Sequence, residues 1–326
     1  MYDVVTFGES MLRLTPPNFQ RLEQTHSFDV GISGAELNTA AGLARLGLRT
    51  AWVSRLVDSP LGRMIANKAR EQNVDTSHIL WAKDGRVGLY YYEMGASTRA
   101  SLVIYDRADS AISQLKPGEI DWATILKGAR AFHISGITPA LSASCVEASK
   151  EAVAAAKSAG CIVSLDINYR ARLWSKQAAR ECISGMLKDV TILFTTLDEA
   201  SLVFGLNAGP EEVAREIAQQ WKVPVVAITL REAPSVLRNI WRSIAFADGK
   251  VYTGRTIDLE LIDRMGSGDS YDAGFIYGYL TGDMAKAIAY GDAMSAIKHS
   301  VPGDYTWVTP AEVKAQVESV QTKIQR

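Results

Sequence analysis

A regular alternation of two kinds of segment constrains the fold of this chain more than any other feature of its sequence. Short apolar and β-branched segments alternate with longer segments of helical periodicity, and several short segments are apolar throughout, as in strands buried on both faces. The alternation predicts an α/β fold with a mainly parallel central sheet. The predicted strands cover residues 4–7, 50–54, 131–135, 162–166, 191–194 and 225–229. The predicted helices cover residues 36–46, 61–72, 142–159, 176–187, 210–221, 270–280 and 284–300.

Two segments depart from this alternation. Residues 87–104 contain two aromatic or β-branched runs around a Gly/Ser/Thr/Arg turn, which is typical of a β-hairpin, and residues 11–28 are strand-like or irregular. We interpret the segments at about 11–30 and 87–110 as a discontinuous β lid on one edge of a single domain that spans residues 1–326. A chain of 326 residues is long enough to bury the core of such a domain.

The charge of the chain bears on its partners. The formal net charge is −1 and the sequence has no basic run, so we expect no nucleic-acid partner and no membrane partner. The first ten residues, MYDVVTFGES, lead directly into a strand pattern, and no apolar run is long enough to span a membrane. We therefore expect no signal peptide and a cytoplasmic protein.

The stretch with the clearest chemistry is Gly266-Ser267-Gly268-Asp269, which lies before the apolar helix predicted at 270–280. Small residues here allow backbone N–H groups to point toward one place, and the helix adds its positive end, so the turn can form an anion hole. Asp269 lies beside that place and could accept the proton of a hydroxyl that attacks a phosphate. The same pattern is also compatible with Asp269 as a simple helix N-cap.

This stretch carries a family resemblance. Residues 263–269, DRMGSGD, are similar to the D-T-x-G-A-G-D signature of the ribokinase-like (PfkB) sugar kinases. Residues 31–38, GISGAELN, and 44–47, ARLG, resemble the N-terminal glycine signature of the same family. The resemblance implies a three-layer ribokinase-like fold with a small β-sheet lid, and it implies ATP and Mg²⁺ as cofactors.

The resemblance also implies roles for particular residues. Asp269 would be the catalytic base, and the turn before it would be the anion hole of the family. Sugar hydroxyls would be held by Gly34 and Asn38. The residues that it implies for catalysis are Asp269, Gly266, Ser267 and Gly268.

Within that family the sequence is most similar to 2-keto-3-deoxygluconate kinases. The similarity rests on YDR at 105–107 before SA at 110–111, on DINYRARLW at 166–174, and on KHSVPGD at 298–304. It implies ATP-dependent phosphorylation of the primary hydroxyl of 2-keto-3-deoxygluconate to its 6-phosphate. The sequence does not distinguish this acid from its galactonate epimer.

An acidic substrate agrees with the residue types in these motifs. Arg107 and Arg170 are permanently charged and can each bind a carboxylate bidentately. Tyr90 and Tyr105 can stack on or hydrogen-bond to a polyol, and Asp304 can accept a hydroxyl. Alternatives remain open for most of these residues: a salt bridge on the lid surface for Arg107, the ATP phosphates for Arg170, packing for Tyr90 and a turn for Asp304.

The expected nucleotide and metal site shows departures from the family pattern. Thr196 replaces an Asn, although Glu199 of the same motif is kept and is expected to order Mg²⁺ through water. Residues 230–234 contain no glycine where a nucleotide loop often has one. Whether Asp272 faces the site depends on the phase of its helix. The residues expected to contact ATP are Asn168, Arg170, Thr229, Arg231, Gly266 and Gly268.

Two other functions are compatible with parts of the same sequence. A fructokinase or another neutral-sugar kinase of the same family is the nearest alternative, and a non-catalytic sugar or nucleotide sensor is an alternative of a different class. The sequence lacks the G-x-G-x-x-G of dinucleotide-binding dehydrogenases after its first strand, and the Walker-type phosphate loop. Relatives in the family often pair through their lid sheets, so we also expect a homo-oligomer formed through the lid.

Overall fold

The structure of the protein is a computed structural model that describes residues 1–318. Within that range it contains two sheets and the helices that surround them. The strands are β1 Val4–Phe7, β2 Met11–Thr15, β3 Asp29–Ser33, β4 Thr50–Val57, β5 Val74–Asp75, β6 Ile79–Ala82, β7 Gly88–Glu93, β8 Leu102–Asp106, β9 Ala131–Ser135, β10 Ile162–Asp166, β11 Ile192–Thr196, β12 Val225–Ser235, β13 Arg238–Ala247, β14 Lys250–Thr253 and β15 Ile257–Glu260. The helices are α1 Ala35–Arg45, α2 Pro60–Glu71, α3 Trp122–Ile125, α4 Ile137–Ala140, α5 Ala143–Ser158, α6 Lys176–Leu187, α7 Leu197–Glu199, α8 Pro210–Trp221, α9 Ser267–Thr281, α10 Met284–His299 and α11 Pro310–Val317.

The large sheet is mainly parallel. Its order is β14-β13-β12-β11-β10-β9-β1-β4-β5, with β15 paired to β13 and β6 paired to β4. The pairs from β12 through β11, β10, β9, β1 and β4 to β5 are all parallel, whereas β13 pairs antiparallel with β12, β14 and β15. The carboxyl ends of the central strands therefore meet at one edge, where ligands bind in open α/β sheets.

Helices cover both faces of the large sheet, which gives three layers. On one face, buried residues of α5, α6 and α8 pack against β9–β12. On the other face, α1, α2, α9 and α10 pack against the same sheet through two further clusters. The sequence-based expectation of a three-layer α/β fold is confirmed. No helix within residues 1–318 is both long and apolar enough to cross a membrane.

A small separate sheet stands beside the large one. Its order is β3-β2-β7-β8, and only the β2–β7 pair is parallel. Its inner face carries Met11, Tyr90 and Tyr92, which pack with Met265 from the turn before α9. The inner face of the small sheet therefore lies directly over that turn.

The outer face of the small sheet is apolar, and it is partly exposed and partly packed against α1 and α2 through Leu12 and Ile32. Its register places Val30, Leu14, Tyr91 and Ile104 in one row across the four strands. Val30 and Ile104 are 50% and 43% exposed. Apolar side chains that lie side by side in this way can form an interaction surface.

One segment differs from its prediction. Residues 230–234 were expected to form a nucleotide loop, but β12 continues through them to Ser235. The backbone of residues 230–232 pairs with β13, with Arg231 opposite Trp241 and Glu232 opposite Ile240, and an irregularity follows before Ser235 pairs with Arg238. The loop interpretation was wrong because the partner strand, ten residues from Arg238 to Ala247, supplies a long antiparallel edge.

Helices α9 and α10 approach each other very closely. A Cβ atom at Gly274 of α9 would lie 2.3 Å from the carbonyl oxygen of Tyr290 in α10. Only a glycine allows this distance, so the two helices pack backbone against backbone along this side of the sheet.

Candidate active site

A cavity of about 260 Å³ lies between the carboxyl ends of the central strands, the inner face of the small sheet and the start of α9. Its walls combine residues from widely separated parts of the chain. Every candidate site residue from the sequence lines this cavity: Gly34, Asn38, Tyr90, Tyr105, Arg107, Asn168, Arg170, Glu199, Thr229, Arg231, Gly266, Ser267, Gly268, Asp269 and Asp304. The fold therefore brings together groups that the sequence predicted separately.

Asp269 lies in the first turn of α9, and its carboxylate points into the cavity. The helix N-cap is Gly266, which has φ +77°, so the alternative of Asp269 as the N-cap is wrong. Asn38 donates from Nδ2 to Oδ2 of Asp269 at 2.7 Å. Burial raises the pKa of Asp269 to about 6, although the Asn38 hydrogen bond and the charges of Arg170 and Arg231 oppose this shift. A carboxylate with this pKa is suited to accept a proton near neutral pH.

The turn before α9 has a backbone conformation that requires glycine. A Cβ atom at Gly266 would lie 2.1 Å from the carbonyl oxygen of Asp304, so the turn requires glycine both for its positive φ and for its space. The turn leads directly into α9, whose first N–H groups have no partner within the helix. This arrangement supplies donors and a positive helix end to an anion.

Two arginines bring positive charge to the same end of the cavity. The guanidinium of Arg231 lies 4.9 Å from the centre of the Trp241 ring, and a Cβ atom at Gly268 would be 3.3 Å from its Nη2. Arg170 is hydrogen-bonded, within the described residues, only to the carbonyl oxygen of Tyr169 at 3.4 Å. Arg170 is therefore available to an anionic ligand.

Arg107 is a buried residue of the cavity wall and not a residue of the lid surface. It forms an ion pair with Glu9, whose other oxygen accepts a hydrogen bond from Ser110 Oγ at 2.5 Å. Its Nε is buried and has no partner among the described residues. Glu9 was missed from the sequence, although its place just after β1, where parallel strands end, could have indicated it.

Asp304 is more than a turn residue. Its carboxylate accepts hydrogen bonds from Arg13 at 2.7 Å, from Ser33 Oγ at 2.5 Å and from Tyr90 OH at 3.0 and 3.2 Å. Both oxygens are thus occupied by protein donors, which leaves little capacity to accept a sugar hydroxyl. The Tyr90 and Tyr105 rings lie 5.7 Å apart beside this cluster.

The structure explains the replacement of Asn by Thr at position 196. Thr196 and Glu199 form a reciprocal capping box, in which Thr196 Oγ1 accepts the N–H of Glu199 and Glu199 accepts the N–H of Thr196 at 3.0 Å. The other Glu199 oxygen accepts the N–H of Tyr169 at 2.9 Å. Direct metal ligation by Glu199 would compete with these bonds, and its indirect role through water stays a prediction.

Further carboxylates lie near Glu199. Asp272 faces the cavity, and its Oδ2 has no hydrogen-bond partner among residues 1–318. Burial, together with the nearby Glu199 and Asp269 carboxylates, raises the pKa values of Asp166 and Asp272 well above the usual range. In the described part of the chain, no three such groups are arranged as a complete metal site. Oxygen donors of this kind fit Mg²⁺, which keeps waters and phosphate oxygens as most of its ligands.

Comparison with known proteins gives a consistent result. Residues 1–311 match the pfkB family of carbohydrate kinases. The chain is 35% identical over 325 residues to a 2-dehydro-3-deoxygalactonokinase of Haloferax volcanii, with 99% of each chain covered. It is 30% identical over 324 residues to the 2-dehydro-3-deoxygluconokinase of Bacillus subtilis, covering 99% of this chain and 97% of that one. A solved structure of the 2-dehydro-3-deoxygluconokinase of Thermotoga maritima is 39% identical and superposes with a TM-score of 0.94, covering 97% of this chain and 98% of the other.

Proposed function

Because the chain belongs to the pfkB family of carbohydrate kinases, we propose that it transfers the γ-phosphoryl group of ATP to the primary hydroxyl of a sugar acid. The acid we propose is 2-keto-3-deoxygluconate, which would become its 6-phosphate, with the galactonate epimer as the alternative. The observation that carries the proposal is a cavity that combines Asp269 with two arginines, Arg107 and Arg170. The names of the similar kinases support the same substrate class.

The proposed chemistry begins at Asp269. Its carboxylate accepts the proton of the substrate hydroxyl while that oxygen bonds to the γ-phosphorus of ATP and the bond from this phosphorus to the β–γ bridging oxygen breaks. ADP leaves with the electron pair of the broken bond. Backbone N–H groups of Gly266–Asp269 and the charge of Arg231 stabilise the negative charge on the phosphate oxygens.

The remaining roles follow from position in the cavity. Arg170 binds the carboxylate of the acid or the phosphates of ATP, and Arg107 contributes to the carboxylate end together with Tyr105. Thr229 and Asn168 border the nucleotide. Mg²⁺ would be held near Asp166 and Glu199, largely through water, and would supply positive charge to the phosphates.

The small sheet is the lid in this proposal. It belongs to the proposed single domain of residues 1–326, of which residues 319–326 lie outside the described part of the chain, with the lid formed by the segments at about 11–30 and 87–110. Its inner face supplies Tyr90 and covers the turn before α9. Closure over the sugar would exclude water, which would otherwise compete as a phosphoryl acceptor. Because ATP is the donor, we also propose that the protein works in the cytoplasm.

A coupled ADP-release assay with ATP and Mg²⁺ tests the function. The substrates to compare are 2-keto-3-deoxygluconate, its galactonate epimer, fructose and ribose, and the expected result is turnover of the keto-deoxy acids only. Turnover of fructose or ribose at a higher kcat/KM would replace the sugar-acid proposal by a neutral-sugar kinase. A complete lack of turnover with all four would favour a sensor of the same fold.

We expect the kcat/KM of this reaction to fall at acid pH. Asp269 acts only when it is deprotonated, and its pKa is raised to about 6 by burial. Activity should therefore be nearly full above about pH 7 and fall about tenfold per pH unit below about pH 6. Initial rates between pH 5 and pH 8, with circular dichroism to verify folding at each pH, give the profile. An acid limb near the usual pKa of an exposed Asp would contradict the assignment.

We further propose that the protein is a homo-oligomer formed through the outer face of the small sheet. The exposed row that contains Val30 and Ile104 supports this. Ile104→Glu should convert the oligomer to a monomer, because it places a charge within an apolar contact. Light scattering after size exclusion measures the mass. Leu61→Glu on α2, where Leu61 is 46% exposed, is the control and should leave the mass unchanged. A monomeric wild-type protein at micromolar concentration would contradict the proposal.

A further inference from the structure

Arg13 of β2 is a buried arginine that no motif of the sequence singled out. It is 3% exposed, and each nitrogen of its guanidinium has an acceptor. Nη2 donates to Oδ2 of Asp263 at 2.6 Å, Nη1 to Oδ1 of Asp304 at 2.7 Å and Nε to Oγ1 of Thr15 at 2.9 Å. One side chain of the small sheet thus bridges two buried carboxylates of the large body.

The two carboxylates hold the anion-hole turn from both sides. Asp263 begins that turn, and its Oδ1 accepts the N–H of Met265 at 3.0 Å. Its Oδ2 accepts the N–H of Gly303 at 3.0 Å, which joins the turn to the segment that carries Asp304. The carbonyl of Asp304 in turn lies against Gly266. Arg13 therefore links the two segments that shape the anion hole.

The charges in this cluster balance only if Arg13 is present. Lys298 is the second buried cation, and its Nζ donates to the carbonyl oxygens of Val301 at 2.8 Å and of Asp263 at 3.5 Å. Two cations thus accompany the carboxylates of Asp263 and Asp304. Without Arg13, a net negative charge would remain buried behind the turn, and the carboxylates would be driven to new partners or positions.

The small sheet is joined to this cluster by more than one strand. Ser33 of β3 and Tyr90 of β7 both donate to Asp304, and the Tyr92 ring lies 4.5 Å from the guanidinium of Arg13. We propose that Arg13 is a positioning residue that fixes the anion-hole turn and Asp269 relative to the lid, so that the N–H groups are aligned when the substrate is covered. The catalytic part of this inference rests on the proposed kinase function, but the structural link does not.

Hydrogen exchange of the ligand-free protein tests the link independently of activity. Arg13→Met should raise the exchange rate of backbone N–H groups in residues 263–269 by about tenfold or more, because the turn loses its shared anchor. Arg63→Met is the matched control, since Arg63 also combines an ion pair, with Asp58, and an aromatic ring, Trp81, but on the exposed surface. Equal exchange in these residues for both variants would overturn the proposal.

Kinetics test the positioning role. Arg13→Met should lower kcat by about 10²-fold, the size seen when one oxyanion donor is lost, and change KM for either substrate by less than about threefold. Arg13→Lys keeps the charge but can reach the two carboxylates less well, so its kcat should lie between those of wild type and Arg13→Met. A kcat loss that merely follows the folded fraction, measured by thermal unfolding, would overturn the role.

The outcomes separate this inference from the proposed function. If the wild-type protein shows no kinase activity, the proposed function fails and the exchange measurement alone decides the link. If Arg13→Met does not fold, Arg13→Lys carries both measurements. In that case unchanged exchange in residues 263–269, together with unchanged kcat, would overturn the proposal.

Discussion

We expect Asp269→Asn to lower kcat by roughly 10²–10⁴-fold and to change the KM for the sugar acid only slightly. The amide keeps the size of the side chain and can still contact Asn38, which donates to Oδ2 in the wild-type protein. It cannot accept the proton of the attacking hydroxyl. The coupled ADP-release assay at saturating ATP measures the loss.

The stability of this variant provides the control. Burial raises the pKa of Asp269 to about 6, above its value in an unfolded chain, so above this pH the ionised carboxylate lowers the stability of the folded protein. Asp269→Asn removes that charge, and its melting temperature at pH 7.5 should equal or exceed that of wild type. A kcat within about threefold of the wild-type value would rule out Asp269 as the general base.

Gly266→Ala is expected to abolish nearly all activity, with kcat lower by about 10³-fold or more. The added methyl group would lie 2.1 Å from the carbonyl oxygen of Asp304, and the φ of +77° is unfavourable for alanine. The turn must therefore move, and its N–H groups no longer converge on the phosphate. Activity is measured in the same assay, with circular dichroism to verify the fold.

Gly249→Ala separates the effect of the steric clash from the effect of the unfavourable φ angle. Gly249 has nearly the same φ, +75°, but no atom lies within 4 Å of a Cβ placed there. This variant should lose about 1 kcal/mol of unfolding free energy through backbone strain and keep its full kcat. If Gly266→Ala behaved in the same way as Gly249→Ala, the anion-hole assignment would be untenable.

Much of the fold could be predicted because its elements are encoded locally. The predicted strand at residues 162–166 and the predicted helix at 176–187 agree with the structure because their apolar periodicities are unambiguous. The extension of β12 through residues 230–234 could not be seen locally. Those residues are mostly exposed and show no strand periodicity, and they become a strand because β13 pairs with them.

Site residues that lie within one contiguous motif could be predicted from the sequence. Site residues that only the fold brings together could not. Gly266 to Asp269 form a contiguous signature, whereas Arg13 and Asp304 meet across 291 positions of sequence. A single sequence contains no trace of such a pair. For the same reason Asp304 was expected to face a sugar hydroxyl, while its carboxylate is occupied by Arg13, Ser33 and Tyr90.

The backbone contact between α9 and α10 limits how the specificity of such a kinase can be redesigned. Gly274 leaves no room for even a methyl group against Tyr290, so the helix that carries Asp269 is held against α10, and a tilt to suit a differently shaped acceptor would break this contact. Changes of substrate preference should therefore accumulate on the opposite wall, at lid positions such as Tyr105 and Arg107. In directed evolution toward longer or shorter acids, active variants with changed specificity should come mainly from libraries in β7 and β8. Libraries in α9 should give mostly inactive variants.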